Sequence, residues 1–264
     1  MNTAVQAVVT TLVAAAILPA VMFGQPGPSS AAFPTDAMVV ESRSLPESAH
    51  PNRALVLWML HPEKHPRFEE GFRPTPDMST YSCPEETLGS YYSGPTRVSL
   101  LDSVTNRIIN TITVRTPFGD KDDFEVPYLI HPYFYRVEPP LKDGEGKPVI
   151  MDLKDYTGDG KALEFGFFAA GDCNLLLIQL VGYSQKQDRV IQYPVSLKNW
   201  DVDDRGKITT GFWLDRVFLQ NPIRPGVWNY TVPERFCYIP TYQVHYDAAQ
   251  ERFLGTVSWL RCDR

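Results

Sequence analysis

The chain has 264 residues, with 25 Lys or Arg against 31 Asp or Glu, and a formal net charge of −6. Its basic residues are not clustered, so it lacks the positive face that phosphate neutralisation needs, and nucleic acid is excluded as a partner. The length is ample for one core and compatible with a single all-β unit.

The first charged residue is Asp36. Val5 to Phe23 is nearly all apolar, with Ala14-Ala15-Ala16-Ile17-Leu18 at its centre, and Gly24-Gln25-Pro26-Gly27-Pro28 breaks the run. This pattern predicts a signal peptide over 1–24, although no basic residue precedes the apolar run. Left uncleaved, the run approaches the ~20 residues that span a bilayer, and only then would the chain meet a membrane. Either way the protein is expected to be secreted or periplasmic. Residues 25–52 are rich in Pro, Ser and Ala without periodicity and are predicted to be a linker. Residues 53–264 are predicted to form a single all-β domain. No segment after the signal carries a convincing 3.6-residue apolar stripe, so the expected architecture is a β-sandwich or an irregular propeller-like assembly of antiparallel hairpins.

Ala54-Leu55-Val56-Leu57-Trp58-Met59-Leu60 is a buried-strand candidate that opens the domain. His61 to Gly94, rich in Pro, Gly and charge, is a long excursion, with a helical turn at Pro84–Gly89. His61 and His65 are four apart, but zinc pairing at that spacing needs a helix, which Pro62 and Pro66 disfavour. Thr96–Asp102, then Ser103-Val104-Thr105-Asn106, then Arg107–Val114 reads as a hairpin. It resembles the YVTN-type propeller repeat, where a strand ends in Asp, a Thr-Asn turn follows, and Ile-x-x-Thr-Ile marks the return. The resemblance implies a propeller-type hairpin and covers this segment alone. Val126–Val137 is β-rich but broken by Pro127 and Pro132, which suggests edge strands. Asp143–Lys147 is a turn, and Pro148–Leu153 a short strand.

Next comes Asp155-Tyr156-Thr157-Gly158-Asp159-Gly160-Lys161-Ala162-Leu163-Glu164. Calcium takes six to eight hard oxygens at about 2.3–2.6 Å from alternating side chains and a backbone carbonyl. Asp155, Thr157 and Asp159 occupy the first, third and fifth positions, Gly160 allows the sharp turn, and the Lys161 carbonyl is the seventh-position ligand. The segment resembles the calcium loop of FG-GAP and VCBS repeats, Asp-x-Asn-Gly-Asp-Gly-x-x-Asp before a strand. It departs from that pattern twice. Thr157 is a neutral ligand, and the ninth-position acid is Leu163 here, with the acid displaced to Glu164. A one-residue shift in a strand turns a side chain to the opposite face. Calcium is the one cofactor expected.

Two further hairpins share the first one's turn: Leu177–Ser184, Gln185–Asp188, Arg189–Tyr193; and Tyr242–Asp247, Ala248–Glu251, Arg252–Val257. In the first and third, Asp102 faces Arg107 and Asp247 faces Arg252, and such cross-strand pairs contribute about 0.2–1 kcal/mol. Arg107, Arg189 and Arg252 are unequally spaced, unlike blades recurring at about 40–50 residues, so these are recurrent hairpins and not a regular array. Asp201–Lys207 is an acidic turn before the β-periodic stretch Ile208–Leu219.

Cys83, Cys173, Cys237 and Cys262 are an even set in an exported chain, which predicts two disulfides. The last turn sets Tyr242 opposite Val257 and thereby Cys237 opposite Cys262, leaving Cys83 for Cys173. Catalytic signatures are weak. Gly182-Tyr183-Ser184-Gln185-Lys186 lacks the second glycine of a nucleophile elbow, and no phosphate-binding glycine loop is present. Tyr91-Tyr92, Tyr133-Phe134-Tyr135, Trp200, Trp213 and Trp228 suit cross-strand and core packing, with carbohydrate stacking as the functional alternative. The expected function is that of a non-catalytic exported β-domain, calcium-stabilised, serving structure, adhesion or the binding of a carbohydrate or protein ligand. The alternative is a secreted hydrolase acting on glycans or cell-wall material through a pair of carboxylates.

Overall fold

The computed structural model describes residues 33–65, 91–115, 129–130, 133–134, 149–172, 175–232 and 238–261. The fold is all-β. The first sheet joins β1 (Ala37–Ser44), β2 (Arg53–Leu60), β5 (Thr96–Asp102) and β6 (Arg107–Thr113) in the order β1-β2-β5-β6. The second runs β11-β10-β9-β7-β8, built from β7 (Leu129–Ile130), β8 (Tyr133–Phe134), β9 (Glu164–Asp172), β10 (Leu175–Ser184) and β11 (Arg189–Gln192), with β14 (Leu214–Asp215) also paired to β10. The third runs β13-β12-β17-β16-β15, built from β12 (Val195–Lys198), β13 (Ile208–Gly211), β15 (Val227–Thr231), β16 (Tyr238–Asp247) and β17 (Arg252–Arg261). A small ribbon pairs β3 (Glu63–His65) with β4 (Tyr91–Ser93).

The alternation of side chains along the strands makes layers of these sheets. From β2, Leu55, Leu57 and Met59 face one core while Val56 and Trp58 face the outer side with Leu101. From β10, Val181 and Tyr183 join the first core, whereas Ile178 and Leu180 join a second with Trp228, Val244 and Phe253 of the third sheet. The middle sheet is therefore buried on both faces. Burying a large apolar side chain is worth about 1.5–3 kcal/mol, so these two cores are the main source of cohesion.

Side-chain amides stitch the edge of the first sheet to that of the second. Asn110 in β6 donates to the Val190 carbonyl at 2.9 Å and accepts the Val190 N–H at 2.9 Å. Gln192 in β11 does the same to Arg115, accepting its N–H at 2.9 Å and donating to its carbonyl at 3.2 Å. Each amide takes the place of a neighbouring strand's peptide group.

The three hairpins form with the predicted turns. Asn106, Asp188 and Glu251 close them at φ of 54°, 49° and 49°, the left-handed residue that a loop built on a type I turn requires. Registers set Asp102 against Arg107, Ser184 against Arg189 and Asp247 against Arg252. Neither predicted charge pair forms: Asp102 accepts the Val104 and Thr105 N–H groups and an Arg53 guanidinium nitrogen at 3.1 Å, while Asp247 accepts the Ala249 N–H at 3.0 Å and the Arg252 Nε has no hydrogen-bond partner among the described residues. Tyr242 pairs with Val257 as expected, and the described register ends at Tyr238 with Arg261.

Four differences follow from tertiary context. The latter part of the predicted linker is strand β1, held by seven pairings to β2, and Glu41 in it accepts the Ile150 N–H. Val40 in β1 and Leu45 just after it are core residues; composition masked this because few apolar residues are needed when one face is solvated. Within Pro148–Leu153 the described part, residues 149–153, is not strand; Ile150 and Met151 enter the core from irregular chain. β12 lies parallel to β17, so not every pairing is a hairpin. The predicted excursion His61–Gly94 contains strand: β3 occupies Glu63–His65 and pairs with β4, and His61 Nδ1 approaches Asp36 at 2.6 Å. The predicted signal over 1–24, the turn at Pro84–Gly89 and the cysteines Cys83, Cys173, Cys237 and Cys262 lie outside the described residues.

Candidate functional site

Among the described residues, an acidic loop and a Trp-lined cleft gather polar groups that could act on a ligand. In the loop, every backbone N–H from Tyr156 to Ala162 points at a carboxylate. Glu164 accepts from Tyr156 at 3.0 Å and Thr157 at 3.4 Å. Asp155 accepts from Gly158, Asp159 and Gly160 at 2.6, 3.1 and 2.9 Å. Asp159 accepts from Lys161 at 3.0 Å, and Glu47 from Ala162. Such a concave run of N–H groups favours anions, and here the protein supplies them itself.

The displaced acid explains itself in this geometry. Leu163, where the repeat family has its ninth-position acid, is a core residue, 1% exposed. Glu164 is on the opposite face, and it crosses Gly182, its partner in the β9–β10 register. A Cβ at residue 182 would stand 2.7 Å from the Glu164 Cγ, so the glycine leaves the lane that lets the carboxylate reach the loop. Glu164 is 2% exposed. Burial pushes its carboxyl up to about 8; the two backbone N–H groups resist this, and the negative Asp159 and Asp155 add to it.

Asp155, Thr157, Asp159, Lys161 and Glu164 thus sit on one loop, but they are arranged to cap peptide groups. Among the described residues no three His, Cys, Asp or Glu side chains are grouped to hold a metal ion. The Lys161 carbonyl accepts the Leu163 N–H. Thr157 Oγ1 is buried with no hydrogen-bond partner, the one oxygen of the set that is left over. The side chains as placed do not fit a calcium ion.

The loop is locked from outside. A Cβ on Gly158 would stand 2.5 Å from the Pro225 carbonyl carbon, and one on Gly226 would stand 2.6 Å from the Thr157 carbonyl oxygen. Two backbones touch there. The β10–β11 turn holds the other side. Gln185 bonds Asp159 at 3.0 Å and Lys161 at 2.6 Å. Lys186 donates to the Ala249 carbonyl, Gln187 to Glu251, and Asp188 takes a two-point grip from Arg53 at 2.9 and 2.7 Å. Ser184 donates to Glu251, which places it in this framework and not in a nucleophile's setting.

The cleft opens between the second and third sheets, with a volume of about 440 Å³. Leu177 and Asp215 come from the second sheet, Tyr242 and Trp259 from the third, and Trp200, Asp201 and Trp213 from the turn and strand around β13. Among the described residues no Lys or Arg lines it. Trp200 and Trp213 meet edge to face, centroids 6.0 Å apart at 66°. Trp259 donates its Nε1 hydrogen to the Asn199 carbonyl at 2.9 Å. Gly211 lies beneath Trp200: a Cβ there would reach 2.9 Å from the indole. Asp215 Oδ1 is 3.7 Å from Arg216 Nε, with the two side chains 11% and 17% exposed. Asp201 is exposed.

Sequence reasoning named Trp200 and Trp213 but assigned them to packing, and it did not group Tyr242, Trp259, Asp201 and Asp215 with them. Trp228 alone of the named tryptophans is fully in the core, 1% exposed. The available signal was on β16 and β17, where Tyr238, Pro240 and Tyr242 alternate on one face opposite Trp259 and Val257. Tyr91, Tyr92 and the Tyr133–Tyr135 side chains lie outside what is described. No protein-family model, curated protein or solved structure matches the chain.

Proposed function

We propose that this chain is an exported, non-catalytic β-protein that binds a ligand in the cleft between its second and third sheets. The observation that supports it is the convergence of Trp200, Trp213, Trp259 and Tyr242 with two carboxylates around about 440 Å³ of space. That volume and lining are typical of small-molecule sites, which are largely apolar with a few placed polar groups. Trp200, Trp213 and Trp259 are partly buried in the cleft walls and Tyr242 is 6% exposed, so the aromatic groups are set into the sheets and already ordered. A thermal-shift screen of a chemically mixed ligand panel tests the reading. A stabilising ligand whose effect disappears in Trp213→Ala supports it, and a panel without any hit that this variant loses sinks it.

A second reading rests on Asp201 and Asp215 lining the same cleft: two carboxylates across a sugar are the apparatus of glycoside hydrolysis. Turnover of a polysaccharide that falls in both Asp201→Asn and Asp215→Asn would replace the binding reading with the hydrolase.

A calcium role at the Asp155–Glu164 loop would require its carboxylates to leave the peptide N–H groups they now cap. Melting in calcium against melting in EDTA decides between the ion and the self-capped loop. A midpoint that rises with calcium supports the ion, and an unchanged midpoint leaves the carboxylates as peptide caps alone.

A further inference from the structure

We infer that the ligand of the cleft is a neutral glycan, a pyranose stacked on the Trp200–Trp213 corner with its hydroxyls on Asp201 and Asp215. This rests on the binding reading above and adds the chemical class.

Anions are disfavoured first. The described lining holds two carboxylates and no Lys or Arg, so a phosphate, sulfate or uronate finds no lining cation to pair with. Cations are disfavoured next. An aromatic cage for an ammonium group works when the rings enclose it and an unneutralised acid stands by. Here Asp215 is beside the Arg216 guanidinium, with both side chains largely buried, and Asp201 is solvated at the rim. The field left for a cation is weak, and the cleft is open-sided and far roomier than a methylammonium needs.

What remains is a ligand with apolar faces and polar edges. A pyranose has a flat face of C–H groups, which carry slight positive charge and suit the negative face of an indole. Its rim of hydroxyls donates to carboxylates, the stronger class of hydrogen bond. Trp200 and Trp213 form a corner, so one ring can offer a face while the other offers an edge. The corner is preformed. Gly211 gives Trp200 its place, and the Trp259 N–H is already committed to Asn199. Prior ordering of aromatic walls lowers the entropic cost of binding.

The test is isothermal titration of the full chain with neutral hexasaccharides (cello-, xylo-, manno- and chito-oligomers), with choline and with heparin, alongside tryptophan fluorescence. At least one neutral hexasaccharide is expected to bind. Asp201→Asn, at an exposed position that should not disturb folding, is expected to weaken it about tenfold, the difference between a charge-assisted and a neutral hydrogen bond. Trp213→Ala, checked for folding by near-ultraviolet circular dichroism, is expected to abolish it. Choline or heparin binding in place of the sugars overturns the glycan while leaving the cleft a binding site. Sugar binding indifferent to both substitutions overturns the placement. No binding by any probe overturns the glycan and, with the screen above also empty, the binding reading itself.

Discussion

Gly226→Ala tests the backbone contact between the acidic loop and the Pro225–Gly226 turn. Gly226 has φ 70°, and a Cβ there would stand 2.6 Å from the Thr157 carbonyl oxygen. A left-handed backbone costs an L-residue about 1–2 kcal/mol. Overpacking adds about 1–3 kcal/mol, at the upper end here because the struck atom is main chain and has no rotamer to escape into. The sum is about 2–5 kcal/mol. Gly160→Ala is the control: φ is 85°, but nothing lies within 4 Å of the added carbon, so only the backbone contribution of about 1–2 kcal/mol remains. Urea unfolding followed by tryptophan fluorescence, with the slopes compared to verify a common transition, measures both. Gly158→Ala is expected to match Gly226→Ala. The double substitution is expected to fall short of the sum, because both open the same contact. Equal losses for Gly226→Ala and Gly160→Ala would refute the docking of the loop on the Pro225–Gly226 turn.

Other consequences are open to the same treatment. Glu164→Gln removes a carboxyl whose value is raised from 4.5 to about 8. The unfolded chain ionises it first, so the wild type loses stability relative to the variant as pH climbs from 4.5 to about 8 in EDTA, by up to about 5 kcal/mol; a pH-independent difference refutes the buried carboxyl. Arg53→Lys exchanges the two-point grip on Asp188 for a point charge and is expected to cost about 1–3 kcal/mol. The Arg53 guanidinium holds the Asp188 carboxyl down to about 2. Stability from that pair is complete above the ordinary 3.8 and fades as pH falls towards 2, so the variant is expected to show a flatter acid limb. Asn110→Ala leaves the Val190 N–H and carbonyl without the amide and is expected to cost about 1–3 kcal/mol. Hydrogen exchange at Val190 should accelerate, and an unaltered rate would show that the seam holds without it.

Hairpins were the most legible part of the chain because everything that specifies them is local. The turn chemistry of Ser103–Asn106, Gln185–Asp188 and Ala248–Glu251 sits within a few residues of the strands it joins, and the observed registers follow from it. β1 was not legible. Its place depends on β2, whose run Ala54–Leu60 gave a clear signal while the partner's alternation was diluted by Glu41, Ser42 and Arg43. The loop at Asp155 was found from residue types, but types do not say what a carboxylate accepts. Its acids satisfy peptide N–H groups, and the decisive neighbours, Gly182 and Glu47, are distant in sequence. The cleft was hidden for a similar reason. Trp200 and Trp259 are brought together by the parallel pairing of β12 with β17, and a crossover of that kind leaves no short-range mark.

The turn from Gln185 to Asp188 has a bearing on how the chain can be cut. Its residues reach the acidic loop, the last hairpin and β2, so severing it would loosen all of them at once. New termini belong elsewhere. The tip at Val104, 69% exposed, is the better seam for a circular permutant or an inserted reporter, and a fragment lacking the first or third sheet would lose the bonds the Gln185–Asp188 turn makes to Arg53 or to Ala249 and Glu251.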